Sequence, residues 1–136
     1  MRPAIAAFGA AALLLTACRV GPNIETFEPA RRAEGTQATL RLRVASQTFT
    51  RVGEVVAVRQ VDLLLLTERG LERVPYEAMQ SGEFADARPS RIQRAGQESD
   101  RRQIANYSRY PLGLTDSQLD ALLRALGQDA LIEVIR

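Results

Sequence analysis

The chain lacks the side chains on which most enzymes and metal proteins depend. Its 136 residues include no histidine, and all eighteen basic residues are arginine. Cys18 is the single cysteine, which excludes an internal disulfide framework and a thiolate metal site. A zinc or iron site would need carboxylates alone, an uncommon ligand set for those metals. The usual bases and nucleophiles are thus reduced to Asp, Glu and Ser, and no spacing singles out a pair, so we predict a non-enzymatic protein with no metal and no cofactor.

The arginines are nearly balanced by acids. The formal net charge is +2, and removing residues 1–17, which include Arg2, leaves 17 arginines against 16 acids, a net of +1. An excess this small does not predict a nucleic-acid partner. The remaining 136 − 17 = 119 residues suffice for one domain with a small core.

A short apolar segment opens the chain and ends at the cysteine. The uncharged run that follows Arg2 is rich in Ala and Leu and is about five residues too short to cross the ~30 Å hydrocarbon core of a bilayer. It closes with Leu15-Thr16-Ala17-Cys18, which resembles the lipobox of bacterial lipoproteins at all four positions. The resemblance implies that residues 1–17 are a cleaved signal peptide and that Cys18 is lipidated. An ordinary secretory signal and an uncleaved anchor are the alternatives.

Lipidation at Cys18 would fix where the protein resides. A cysteine that carries several acyl chains, palmitate among them, is a stable membrane tether, since two or more chains are needed for durable anchoring. Arg19 stands where an Asp often marks inner-membrane retention in the family, so we predict the outer membrane, facing the periplasm. Residues 18–36 contain Gly and Pro without a sustained period, which predicts a lipid-anchored tether.

Residues 37–86 show strand patterns separated by turns. Apolar and polar residues alternate before Ala45, and Leu63–Leu66 is an apolar run typical of a strand that is covered on both faces. The predicted strands are 38–44, 48–58 with a bend at Gly53, 62–67, 71–76 and, after a short turn, 80–85. Five short strands with a bend would close to hide their edges. We therefore predict an α+β fold built on a small five-stranded, strongly bent antiparallel barrel.

This order of strands resembles the Sm-like small barrels in shape. The shared features are the bent strand at Val52-Gly53-Glu54-Val55, the apolar third strand and a one-turn helix before the fifth. The RNA-binding positions do not correspond. Arg59 and Asp62 stand where the family has an Asp and an Asn or His, and Met79-Gln80-Ser81-Gly82 lacks its basic residue before Gly. No nucleic-acid partner is therefore predicted, and the oligomeric state, including ring assembly, stays open.

Residues 87–136 predict an Arg-rich linker and two helices that pack on the barrel. Between 87 and 114 six arginines oppose two acids, whereas 53–86 has three arginines against seven acids, so the two segments should attract each other. The predicted elements are a helix at about 100–109 capped by Ser99, a helix at 116–126 with a Thr115–Gln118 capping box and a leucine stripe, and a short strand at 131–135.

The arginine cluster is the candidate ligand site, because guanidinium groups suit phosphates and carboxylates. Its residues are Arg91, Arg94, Arg101, Arg102, Arg109 and Tyr110. Acids within the cluster and the scarcity of aromatics also fit an ordinary salt-bridged surface. We therefore predict an envelope lipoprotein with a structural or protein-interaction role. The alternative is a binding module for anionic envelope ligands such as lipid headgroups, lipopolysaccharide or peptidoglycan.

Overall fold

The chain folds around one mixed β-sheet with two helices, which confirms the α+β class. The computed structural model describes residues 31–86, 91–92 and 97–134. The elements of its first half are β1 (Gln37–Val44), β2 (Gln47–Val58), β3 (Asp62–Thr67), β4 (Gly70–Pro75), a one-turn 3₁₀ helix (Tyr76–Ala78) and β5 (Met79–Phe84). Strands β1 to β4 pair in sequence, each antiparallel to the next, and β5 returns to pair with β1.

Two short strands lie on the outer strands of this sheet. Strand β6 (Arg91–Ile92) pairs antiparallel with β5, and β7 (Ile132–Glu133) pairs parallel with β4. The order is β6-β5-β1-β2-β3-β4-β7. The predicted closed barrel is wrong, because β4 and β5 lie on opposite sides of an open sheet. The sequence predicted β7, within 131–135, but not β6.

The sheet is open because its central strands are apolar on both faces. Leu63 and Leu65 belong to one core, whereas Leu64 and Leu66 pack in a second core on the opposite face. A small closed barrel has a single interior, and these alternating residues need a covering layer on each side. The expectation that this run is covered on both faces is confirmed.

One helix contributes to each core. Helix α1 (Glu98–Asn106) places Ile104 in the first core, and α2 (Asp116–Ala125) places Leu123 in the second. The predicted capping box at the start of α2 is present, with the Thr115 hydroxyl accepting from the Gln118 amide. The other leucines of the stripe are less buried: Leu119 and Leu122 pack at the margin of the second core, and Leu126 is 37% exposed.

Strand β2 is irregular close to Gly53. The register with β3 shifts between Val55 and Ala57, so the irregularity lies two residues beyond the predicted bend. Gly53 itself allows two strands to approach closely: a Cβ there would lie 2.4 Å from the carbonyl oxygen of Leu66. The requirement for glycine is therefore steric, and no positive φ is involved.

The end of the predicted tether belongs to the folded domain. Positions 18–30 lie outside the described residues, but Thr36 is buried, and its backbone N–H donates to the Tyr107 carbonyl at 2.7 Å. The Arg32 N–H donates to the Arg109 carbonyl at 2.8 Å. These bonds attach the chain that precedes β1 to the loop that follows α1.

Candidate functional site

Three buried carboxylates organise the charged side chains of the domain. Glu54, Asp62 and Glu72 are 7%, 1% and 0% exposed, and each one is bound by at least one arginine. A buried carboxylate without a partner would strongly destabilise the fold. In the described part of the chain, every buried side-chain nitrogen and oxygen has a hydrogen-bond partner.

The Glu54 carboxylate receives a two-pronged contact from Arg109. Nε of Arg109 lies 2.7 Å from Oε1 and Nη2 lies 2.5 Å from Oε2. The Gly35 N–H also donates to Oε1, at 2.6 Å. The hydrogen bonds to Glu54 raise the pKa of the Arg109 guanidinium. This contact joins the Arg-rich segment to the acidic sheet, as the charge pattern predicted.

Asp62 and Glu72 are neutralised within the sheet. Asp62 accepts from Nε of Arg59 at 2.5 Å and from Nε of Arg73 at 2.7 Å, which raises the pKa of Arg73. Glu72 accepts from Nε of Arg51 at 3.1 Å. Asp62 and Glu72 are therefore bound by arginines of the sheet itself.

A cleft opens between α1 and the turn that joins β2 to β3. We call it the α1 cleft; it has a volume of about 760 Å³. Its lining residues are Val58, Arg59, Gln60, Val61, Glu98, Arg101, Arg102 and Ala105. Three arginines and one glutamate leave a charge of +2, and Val61, which is 64% exposed, adds an apolar wall. Such a cleft suits an anionic group joined to an apolar one.

Tyr76 fixes one side of the α1 cleft. Its hydroxyl donates to the Arg59 carbonyl at 2.7 Å, and the Arg101 guanidinium lies 5.8 Å from the centre of its ring. Burial raises the pKa of the Tyr76 hydroxyl. Tyr76 therefore orients both the turn and a cationic side chain of the cleft.

The structure separates the six candidate ligand residues. Arg101 and Arg102 meet at the α1 cleft, where Nη2 of Arg102 lies 3.7 Å from Oε1 of Glu98 on an exposed surface. Arg109 is engaged by Glu54, and Tyr110, 6% exposed, belongs to the second core.

Three other predicted site residues lie at or outside the limits of the described structure. Arg91 lies in β6 opposite Glu83, and nothing further is described for its side chain. Arg94 and Cys18 lie outside the described residues. The sequence did not single out Arg59, Gln60 or Val61 as site residues. Their only signal was a polar turn between two strands, a pattern common to most sheets.

The described residues offer no metal site and no membrane span. Over 31–86 and 97–134, no three acidic or cysteine side chains meet in an arrangement that would hold a metal ion. Within the same part of the chain, no helix is long and apolar enough to cross a membrane. Comparison of the sequence with protein-family models and with curated proteins, and of the fold with solved structures, finds no match.

Proposed function

We propose that the chain is a lipid-anchored protein of the bacterial cell envelope whose folded domain binds other envelope proteins and performs no catalysis. The observation that carries the anchor is Leu15-Thr16-Ala17-Cys18 at the end of a short apolar run. Arg19 favours the outer membrane within the same proposal. The buried carboxylates support a binding role over a catalytic one, because each is held by arginines in a structural ion pair.

The anchor is tested by changing the single thiol. In bacteria grown with labelled palmitate, the wild-type chain should take up label and require detergent for extraction from membranes. Cys18→Ser should lose both properties. A matched control, Cys18→Ser with Ser99→Cys, restores a thiol at an exposed position of α1 and should remain unlabelled. Unchanged membrane association of Cys18→Ser would refute the lipoprotein assignment.

A second candidate function is the binding of an anionic envelope molecule in the α1 cleft. It is supported by the meeting of Arg59, Arg101 and Arg102 around one opening. Immobilised peptidoglycan and anionic lipid vesicles, at physiological salt, are suitable probes. Arg101→Gln with Arg102→Gln should abolish binding, whereas Arg124→Gln, on the exposed face of α2, should leave it intact. Equal binding by both variants would exclude the cleft.

A further inference from the structure

Strand β2 extends beyond its partner on one side. It pairs with β1 from Gln47 to Glu54, but its ladder with β3 begins only at Glu54. Within the described residues, the segment Gln47–Val52 therefore has a neighbouring strand on one side only. We call this segment the β2 edge. Every second residue along it directs its backbone N–H and C=O away from β1.

A groove runs beside the β2 edge, where a continuation of β3 would lie. It has a volume of about 360 Å³ and lies between three edge residues and the turn that joins β3 to β4. Its lining residues are Thr50, Arg51, Val52, Thr67, Glu68 and Arg69. The Thr67 hydroxyl holds the turn, since it accepts from the Arg69 N–H and donates to the buried Glu72. The turn that forms one side of the groove is thus held in place by hydrogen bonds.

Among the described residues no strand covers the β2 edge, in contrast to the two outer strands, although Nη1 of Arg51 donates to its Thr50 carbonyl at 3.4 Å. Proteins cover free strand edges or shorten them, because an exposed row of N–H and C=O groups pairs with other chains. Here β6 lies on β5 and β7 lies on β4. The β2 edge is six residues long, contains no proline and exposes Val52 by 59%.

Four arginines surround this edge. Arg41 and Arg43 of β1 stand directly opposite Thr50 and Thr48, on the same exposed face of the sheet. Arg51 lies on the edge, and Arg69 in the turn is 54% exposed. The acids nearby are Glu68 and the buried Glu72, which already binds Arg51 and lies 3.9 Å from Nη1 of Arg69.

The side chains of β1 are long enough to contact a strand added to the β2 edge. Strands lie about 4.8 Å apart, so an added strand would be about 10 Å from β1. The threonines of β2 that stand between are short, so the Arg41 side chain can extend across them. The Arg43 guanidinium points away from β2, since its Nε lies 3.0 Å from the side-chain amide of Gln80 in β5. Arg41 is therefore the arginine of β1 that can contact a strand in this groove.

We propose that the β2 edge binds an extended acidic segment of a partner protein by strand addition, with main-chain hydrogen bonds to β2 and a carboxylate facing Arg41. The proposal deepens the protein-binding role proposed above and rests on it. A second copy of this chain fits less well as the occupant, because edge-to-edge pairing of two copies would bring two sets of four arginines together.

The test uses the full chain with Cys18→Ser, which carries no lipid, and a fluorescent peptide of about ten residues with alternating Glu and Val. Fluorescence anisotropy should show saturable binding that weakens with salt. Amide chemical-shift changes should concentrate at residues 47–52. Two variants of the peptide separate the ionic contacts from the main-chain hydrogen bonds. One carries Gln in place of Glu, which removes the charge, and the other is N-methylated at alternate backbone amides, which removes main-chain donors. Each should weaken binding by about tenfold or more.

Protein variants complete the test. Arg41→Gln should weaken binding by about tenfold, whereas Arg124→Gln, on the exposed face of α2, makes the same charge change elsewhere and should have little effect. Equal binding of the N-methylated peptide would overturn strand addition, and so would equal effects of Arg41→Gln and Arg124→Gln. A concentration-dependent dimer with shifts at 47–52 and no peptide binding would make a second copy the occupant and also overturn the proposal. None of these outcomes bears on the proposed lipid anchor at Cys18, which the labelling experiment with palmitate tests separately.

Discussion

The contact between Glu54 and Arg109 should be especially sensitive to mutation, because it joins three parts of the chain. Arg109 follows α1, Glu54 lies in β2, and Gly35 precedes β1. Replacing Arg109 by Met keeps the long side chain but leaves the Glu54 carboxylate with the Gly35 N–H alone. Breaking one side of a buried pair costs about 3 to 5 kcal/mol. Because the Arg109 side chain is 20% exposed, we expect a value near the lower end, about 3 kcal/mol.

A double-mutant cycle isolates this contact. Glu54 stands opposite Leu66, so Leu at position 54 meets an apolar neighbour, although the Gly35 N–H then loses its acceptor at a cost of about 1 kcal/mol. Glu54→Leu with Arg109→Met should therefore be clearly more stable than the sum of the single changes implies, with a coupling of about 2 kcal/mol.

The assay is urea unfolding followed by circular dichroism, since the chain has no tryptophan. Arg102→Met is the matched control, because its partner Glu98 is largely exposed, and it should change the free energy of unfolding by less than about 0.5 kcal/mol. Hydrogen exchange of the backbone N–H groups of Arg32 and Gly35 should accelerate in Arg109→Met and stay unchanged in the Arg102→Met control. A loss below about 1 kcal/mol, with unchanged exchange, would refute the role we assign to this pair.

Three further changes test the packing. Leu123→Ala should cost about 2 to 5 kcal/mol in urea unfolding, and Leu126→Ala clearly less, because Leu126 is 37% exposed; equal losses would contradict the described orientation of α2. Gly53→Ala should destabilise by about 1 to 3 kcal/mol, since its Cβ would meet the Leu66 carbonyl, and a neutral effect would show that the strands can separate there at little cost. Burial raises the pKa of Tyr76 above its ordinary 10.0, so stability present below pH 10 should be lost as the pH rises through the folded-state pKa. Tyr76→Phe should remove this alkaline loss and one late step from the absorbance titration of the three tyrosines, and a titration curve that keeps its late step would contradict it.

Local pattern predicted most elements of this fold. The predicted Ser99 cap is wrong, because α1 begins at Glu98 and Gln97 precedes it without a side-chain cap. The observed β3, at Asp62–Thr67, has the predicted bounds, and the Thr115–Gln118 capping box places the start of α2 correctly. These features depend on neighbouring residues, so short-range physics suffices to find them. Strand β6 has only two residues, too few to show an alternation of apolar and polar residues, so no local sequence pattern could predict it.

The closed barrel failed for a different reason. The pattern of Leu63–Leu66 indicated two covered faces, but it did not say which later residues supply the second cover. That cover comes from Tyr110 and from Leu123 of α2, both distant in sequence. From the sequence, Tyr110 fits a ligand site because it adjoins Arg109, and it equally fits packing under a helix end because it precedes Pro111. Only its place in the second core shows that it packs, and tertiary contacts of this kind leave no periodic mark in the sequence.

The position at which the domain begins changes how far it can stand from a membrane. If all of residues 18–36 formed a free tether, the domain could lie up to about 60 Å from the bilayer. The bonds of Arg32, Gly35 and Thr36 to the folded domain leave about thirteen residues between Cys18 and the first docked position, which limits the reach to about 43 Å. A lipidated chain would thus keep both the α1 cleft and the β2 edge within a shallow layer next to the membrane. Partners that satisfy the proposed function must present their acidic segments within that layer, which favours other envelope-bound proteins over freely diffusing ones.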